Sequence, residues 1–146
     1  MNIAIGSDHA GYSHKTALTD YLRNQGHSVR DVGTHAADSV DYPDFAVAVA
    51  KHVADGEADA GVLVCGSGIG VAITANKVSG VRAANCCTKE MAELARKHNN
   101  ANVVTVGERL VSLETAKEIV ETFLATDFEG GRHEGRVRKI HALTGR

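Results

Sequence analysis

Five apolar runs of strand length recur along this chain, at about Asn2 to Gly6, Ser28 to Val32, Ala60 to Cys65, Val81 to Asn85 and Asn102 to Val106, with segments of helical period between them. Strands separated by helices pair in parallel, each crossover right-handed, in a sheet covered on both faces. The expected fold is therefore α/β: a single doubly wound, Rossmann-like three-layer sandwich with a five-stranded parallel sheet and a C-terminal helical arm. Helices are predicted over about Tyr12 to Gln25, from Pro43 to just before Asp55-Gly56, and over Gly70 to Val78, Lys89 to His98 and Glu114 to Ala125. Gly33 to Asp41 has no period and reads as a loop. A chain of 146 residues, 43% of them hydrophobic, suits one domain over 1–146 that supports a core without staples.

The charge balance excludes several function classes. Sixteen Lys and Arg stand against 18 Asp and Glu, a net charge of -2, so nothing draws the chain to nucleic acid or to a membrane surface. Aromatics make up 4% and Trp is absent, which argues against a base-stacking surface. The amino-terminal run meets Asp8 at once and lacks the basic start of a signal peptide, and no apolar run approaches a membrane span. Three cysteines without a Cys-x-x-Cys spacing form no complete disulfide set and no evident zinc site. The expectation is a soluble, cytoplasmic protein with reduced thiols.

The third strand ends in Cys65-Gly66-Ser67-Gly68-Ile69-Gly70. Where a parallel strand hands over to a helix, backbone N–H groups converge on anions, and glycines let them do so without Cβ interference. A dinucleotide fingerprint fails, because its third glycine would fall one position later. A cysteine phosphatase would need an arginine at position 71, which is Val71. There remains a thiol that a helix N-terminus favours as thiolate, a hydroxyl and an oxyanion cradle, a set suited to proton abstraction beside a carbonyl. A tight turn with a structural cysteine is the plain alternative.

Other candidates have plain alternatives too. Asp8 and His9 end the first strand at the same sheet edge and could handle protons or phosphate, although an Asp there also serves as a helix cap. His98 and Asn99 follow a helix and could simply cap it. Arg132 and Arg136, four residues apart, share one face and could fork onto a phosphate or form a solvated basic face. His14, His27, His35 and His52 read as scattered surface or capping residues, Cys86 and Cys87 as small buried apolar ones. No histidine pattern implies a metal.

Taken in order, Ile5-Gly6-Ser7-Asp8-His9-Ala10-Gly11, Asp41-Tyr42-Pro43, Cys65 to Gly70, Ala75-Asn76-Lys77, His98-Asn99-x-Ala101-Asn102 and Glu129-Gly130-Gly131-Arg132-His133-x-x-Arg136-Val137 resemble the type B ribose-5-phosphate isomerases and their sugar-phosphate isomerase relatives. The resemblance covers nearly the whole chain. It implies an aldose-ketose isomerase, free of metal and cofactor, that acts through an enediolate. Cys65 would be the base, Ser67 would assist hydroxyl protons, and Gly66, Gly68 and Gly70 would form the anion hole. His98 would open the sugar ring with Asp8 nearby, while Tyr42 and Asn99 contact the sugar. His9, Arg109, Arg132 and Arg136 would hold phosphate, with His133 close by.

Those groups come from more than one subunit in such enzymes, which implies a homodimer or a tetramer with shared active sites. A branch of the family replaces the cysteine with a glutamate at the place of Val71, so this chain resembles the cysteine branch. Ribose 5-phosphate is the favoured substrate; allose, galactose or tetrose phosphates are the alternatives. The rival from another class is a non-catalytic nucleotide- or phosphoester-binding module.

Overall fold

A computed structural model describes residues 1–146. Five parallel strands form one sheet: β1 (Asn2–Ser7), β2 (Ser28–Asp31), β3 (Ala60–Cys65), β4 (Ala83–Asn85) and β5 (Val103–Gly107), in the order β2-β1-β3-β5-β4. The helices are α1 (Tyr12–Asn24), α2 (Tyr42–Ala54), α3 (Ile69–Ala75), α4 (Lys89–Asn99), α5 (Leu113–Ala125) and α6 (Arg132–Thr144), with a short 3-10 turn over His9–Gly11 before α1. Gly33 to Asp41 carries no regular element. No helix is long and apolar enough to cross a membrane.

Period-two alternation divides the core into two layers. Ile3, Ile5, Val62, Val64, Val104 and Val106 face α1, α4 and α5 in one apolar cluster, whereas Ala4, Leu63, Cys65 and Val103 face α2 and α3 in the other. Every residue of central β3 is buried, and each such Val or Leu contributes roughly 1.5–3 kcal/mol of burial. The one long polar side chain in this interior is Lys15, 1% exposed, whose Nζ donates to Asp31 at 2.7 Å. Asp31 also accepts the Gly33 N–H. Removing either partner of such a pair costs about 3–5 kcal/mol, because the other charge is left buried.

Three expectations need correction. β4 begins at Ala83 rather than Val81, because the Arg82 backbone N–H is taken by the Asn102 side chain, at 2.8 Å from Oδ1, instead of a neighbouring strand; the Arg82 guanidinium donates to the carbonyls of Asn99 and Asn100 and contacts His141 Nε2. Helix α3 ends at Ala75, not Val78, since Asn76 turns its side chain amide onto Ala83 and brackets the edge of β4. Cys86 is buried as expected but Cys87 is exposed, because adjacent residues at a strand end point to opposite sides.

Candidate active site

In a sheet of this order, β1 and β3 lie at the switch point, where their crossovers diverge to opposite edges and open a crevice at their carboxyl ends. Ser7 pairs with Val64 and Cys65 with Gly107, so Asp8 and the thiol emerge side by side. A cleft of about 360 Å³ opens there, lined by Asp8, His9, Tyr42, Cys65, Gly66, Ser67, Gly70 and Arg109, with Ala10 and Leu110. A larger cavity, about 510 Å³, lies between the end of α3, β4 and α6 and holds neither the thiol nor the glycine loop. Chemistry therefore favours the smaller one.

Cys65 is 4% exposed, and its Sγ accepts the Gly68 N–H at 3.1 Å. Gly68 has φ of 78°, a left-handed conformation open to glycine at little cost. The N–H groups of Gly66, Ser67 and Gly70 find no acceptor within the protein, so they are free for an oxygen anion; the Gly68 N–H, expected among them, is instead taken by the Cys65 sulphur. Ser67 Oγ accepts from Ile69 N–H at 3.2 Å. Close backbone approach shapes the rest: a Cβ on Gly107 would sit 2.5 Å from the Ser67 carbonyl carbon, and one on Gly70 2.6 Å from the Tyr42 ring.

Asp8 is both cap and cleft residue: its Oδ1 accepts Gly11 N–H at 3.1 Å while the side chain faces the thiol's cleft. His9 Nδ1 lies against the Val40 backbone, 3.1 Å from its N–H and 3.2 Å from its carbonyl, which anchors the ring and leaves Nε2 as the nitrogen open to a ligand. Arg109 runs beside Gly66, with its backbone N–H on the Gly66 carbonyl at 3.0 Å and Glu108 N–H on that of Cys65 at 2.9 Å. Glu108 also accepts the His14 N–H, and His14 Nε2 contacts the Val111 carbonyl. Sequence spacing carries no signal for Glu108, and His14, expected as a scattered residue, instead joins it in clamping this loop to the start of α1.

His98, Asn99, Arg132, His133 and Arg136 stand elsewhere. Helix α4 leads back to the start of β5, and Val103 pairs with Gly61, four residues before the Cys65–Gly107 pair. That is roughly 13 Å of strand at about 3.3 Å per residue, so within one chain His98 does not meet Asp8. The His98 and His133 rings stack with centroids 4.2 Å apart and planes at 14°. His133 is 5% exposed, its Nε2 has no hydrogen-bond partner, and Glu129 Oε1 lies 4.0 Å away. Burial pushes the His133 imidazole below its ordinary value, helped by His98, Arg132 and Arg136 and opposed by Glu129. Arg132 and Arg136 are exposed on α6.

Sequence spacing gave no sign of the triad His98, Glu129 and His133, whose ligand atoms lie within 4.8 Å of one another. Its geometry is that of a stack rather than a chelate. Imidazole lone pairs lie in the ring plane, and two nearly parallel rings do not aim at one ion unless a ring turns.

The chain is similar to known proteins along nearly its whole length. The family model described as Ribose/Galactose Isomerase matches residues 3–140. Ribose-5-phosphate isomerase B of Escherichia coli (strain K12) is 45% identical over 141 residues, 97% of this chain and 95% of that protein. A structure of Clostridium thermocellum ribose-5-phosphate isomerase B superposes with a TM-score of 0.98 at 50% identity, covering 99% of this chain and 98% of that one. The Mycoplasma genitalium enzyme, solved with bound ribulose-5-phosphate, gives 0.96 at 42% identity, over 99% and 97%. With the family model matched along nearly all of its length, this chain belongs to the ribose/galactose isomerase family.

Proposed function

We propose that this chain is an aldose-ketose isomerase that interconverts ribose 5-phosphate and ribulose 5-phosphate, residues 1–146 acting as one domain. The observation that carries the reading is the Cys65 thiol at the floor of a cleft beside three unspent backbone amides, in a chain whose relatives include an enzyme holding ribulose-5-phosphate. The Cys65 thiolate takes the C2 proton of the open-chain aldose. The C–H electron pair becomes the C1=C2 bond, and the carbonyl pair moves onto O1. Amides of Gly66, Ser67 and Gly70 hold that charge where it develops. Ser67 carries the proton from O2 to O1, and return of the Cys65 proton to C1 leaves the C2 ketone.

His9 and Arg109 hold the substrate's anionic end from the same chain. The remaining groups, His98 for ring opening, Asn99 for contact with the sugar and Arg132 and Arg136 for phosphate, come from a second copy, so the working unit is at least a homodimer. Two half-sites at opposite ends of one sheet, each lacking the other's chemistry, support this reading. The three free cysteines favour a cytoplasmic setting. The test is a panel of aldose phosphates given to purified protein. Ribulose 5-phosphate should form from ribose 5-phosphate faster than ketoses form from allose, galactose or tetrose phosphates; no ketose from any of them would overturn the assignment.

A further inference from the structure

Thr105 is the one hydroxyl in a strand otherwise built of Val and Gly, and it is 0% exposed. A buried hydroxyl needs a partner, and the partner here is informative. Thr105 pairs across the sheet with Leu63, two residues before Cys65, and its side chain shares the α3-facing side with the thiol. Its Oγ1 donates to the Gly68 carbonyl at 2.7 Å; Asn85 Oδ1, 3.2 Å away, is the more distant acceptor. Gly68 is the residue whose N–H reaches Cys65 Sγ. A Cβ there would lie 2.4 Å from Asn85 Oδ1 and 2.9 Å from the Val106 carbonyl carbon, so Gly68 is wedged between β4, β5 and the sulphur.

We propose that Thr105 is a positioning residue for the reaction: by holding the Gly68 carbonyl from beneath, it fixes the Gly68 N–H on the Cys65 sulphur. The proposal rests on the reading of Cys65 as the base. A hydrogen bond to a charged sulphur supports that charge, so the tether keeps the sulphur aimed and holds its negative charge when it forms. Gly68 in the left-handed region lacks the steric restraint of a side chain, and the hydroxyl supplies a restraint instead. Because the Gly68 carbonyl also accepts Ala72 N–H at 3.3 Å, removing the hydroxyl leaves that carbonyl a partner, and Thr105→Val keeps nearly the same shape.

The experiment combines kinetics with iodoacetamide alkylation at neutral pH, read at the Cys65 peptide by mass spectrometry. Thr105→Val should slow Cys65 alkylation about fivefold, the worth of one hydrogen bond, and lower kcat by a similar factor with KM unchanged. Thr105→Ser should restore both. Thr105→Ala, which fits any space Val fails to fill, serves as the second variant. Wild-type alkylation of Cys65 in folded Thr105→Val or Thr105→Ala overturns the tether. Slowed alkylation with unchanged kcat would uphold the tether but overturn its part in the reaction, whereas near-wild-type kcat in Cys65→Ala would overturn Cys65 as the base and with it the reading on which the proposal rests.

Discussion

The His98 ring lies flat on that of His133, 4.2 Å between centroids, at the end of the sheet remote from the Cys65 thiol. The stack joins α4 to α6 and holds the ring-opening candidate beside Arg132 and Arg136, so these groups act as one block. In a shared active site that block serves the neighbour's cleft. Cys65→Ala and His98→Asn chains, each inactive alone, should therefore complement when unfolded together and refolded at equal amounts. Half the dimers would be mixed, each with one intact site, giving ~25% of wild-type activity. No activity above the parents would place the whole reaction within one chain.

Cys65→Ala should lower kcat at least about a hundredfold, the usual contribution of a positioned base, while KM stays close to wild type because His9 and Arg109 are untouched. Steady-state kinetics checks both values. Near-wild-type kcat would remove Cys65 from proton transfer.

Stability should fall on the acid side through His133. Its native pKa is depressed by burial and neighbouring cations, whereas in the unfolded chain a histidine titrates near about 6.5. The unfolded state therefore binds the proton more readily. The stabilisation is complete above that unfolded value and is lost as the pH falls through it toward the native one. Urea midpoints between pH 8 and pH 5 should decline, and His133→Asn should flatten the decline; equal slopes in both proteins would contradict the assignment.

The adjacent cysteines should differ sharply in reactivity. Burial pushes the Cys86 thiol up to about 11, with Cys87 adding to the effect, while Cys87 is exposed. Brief alkylation of the native protein at pH 8 should label Cys87 and spare Cys86, as peptide mass spectrometry would read. Equal labelling would mean that β4 opens under native conditions.

The sequence carried the layers because burial imposes its own period. Ile3, Ile5, Val62 and Val64 alternate with Ala4 and Leu63 along strands covered on both sides, and Gly26 and Pro43 punctuate the helices between them. The cleft was legible for a similar reason: residues following parallel strands must emerge at one edge, which gathers Asp8, Cys65 and Arg109. The separation of His98 from that edge was also implicit, since a helix leading into a strand ends at the strand's start. Strand order was not legible, for the partner of β2 is chosen by packing between distant segments. The roles of Thr105, Glu108 and Glu129 were hidden likewise, each depending on a neighbour 20 or more residues away or on a side chain rotamer.

Gly107 carries no functional group, yet a single methyl there would strike the Ser67 carbonyl carbon at 2.5 Å. Rigid β5 backbone stands on one side and the thiol loop on the other, so the loop is what would yield. Gly107→Ala is thus a way to disable the cleft while leaving every reactive atom in the chain. The mutational footprint of this site is wider than its chemistry, and it extends to positions whose contribution is an absence of atoms.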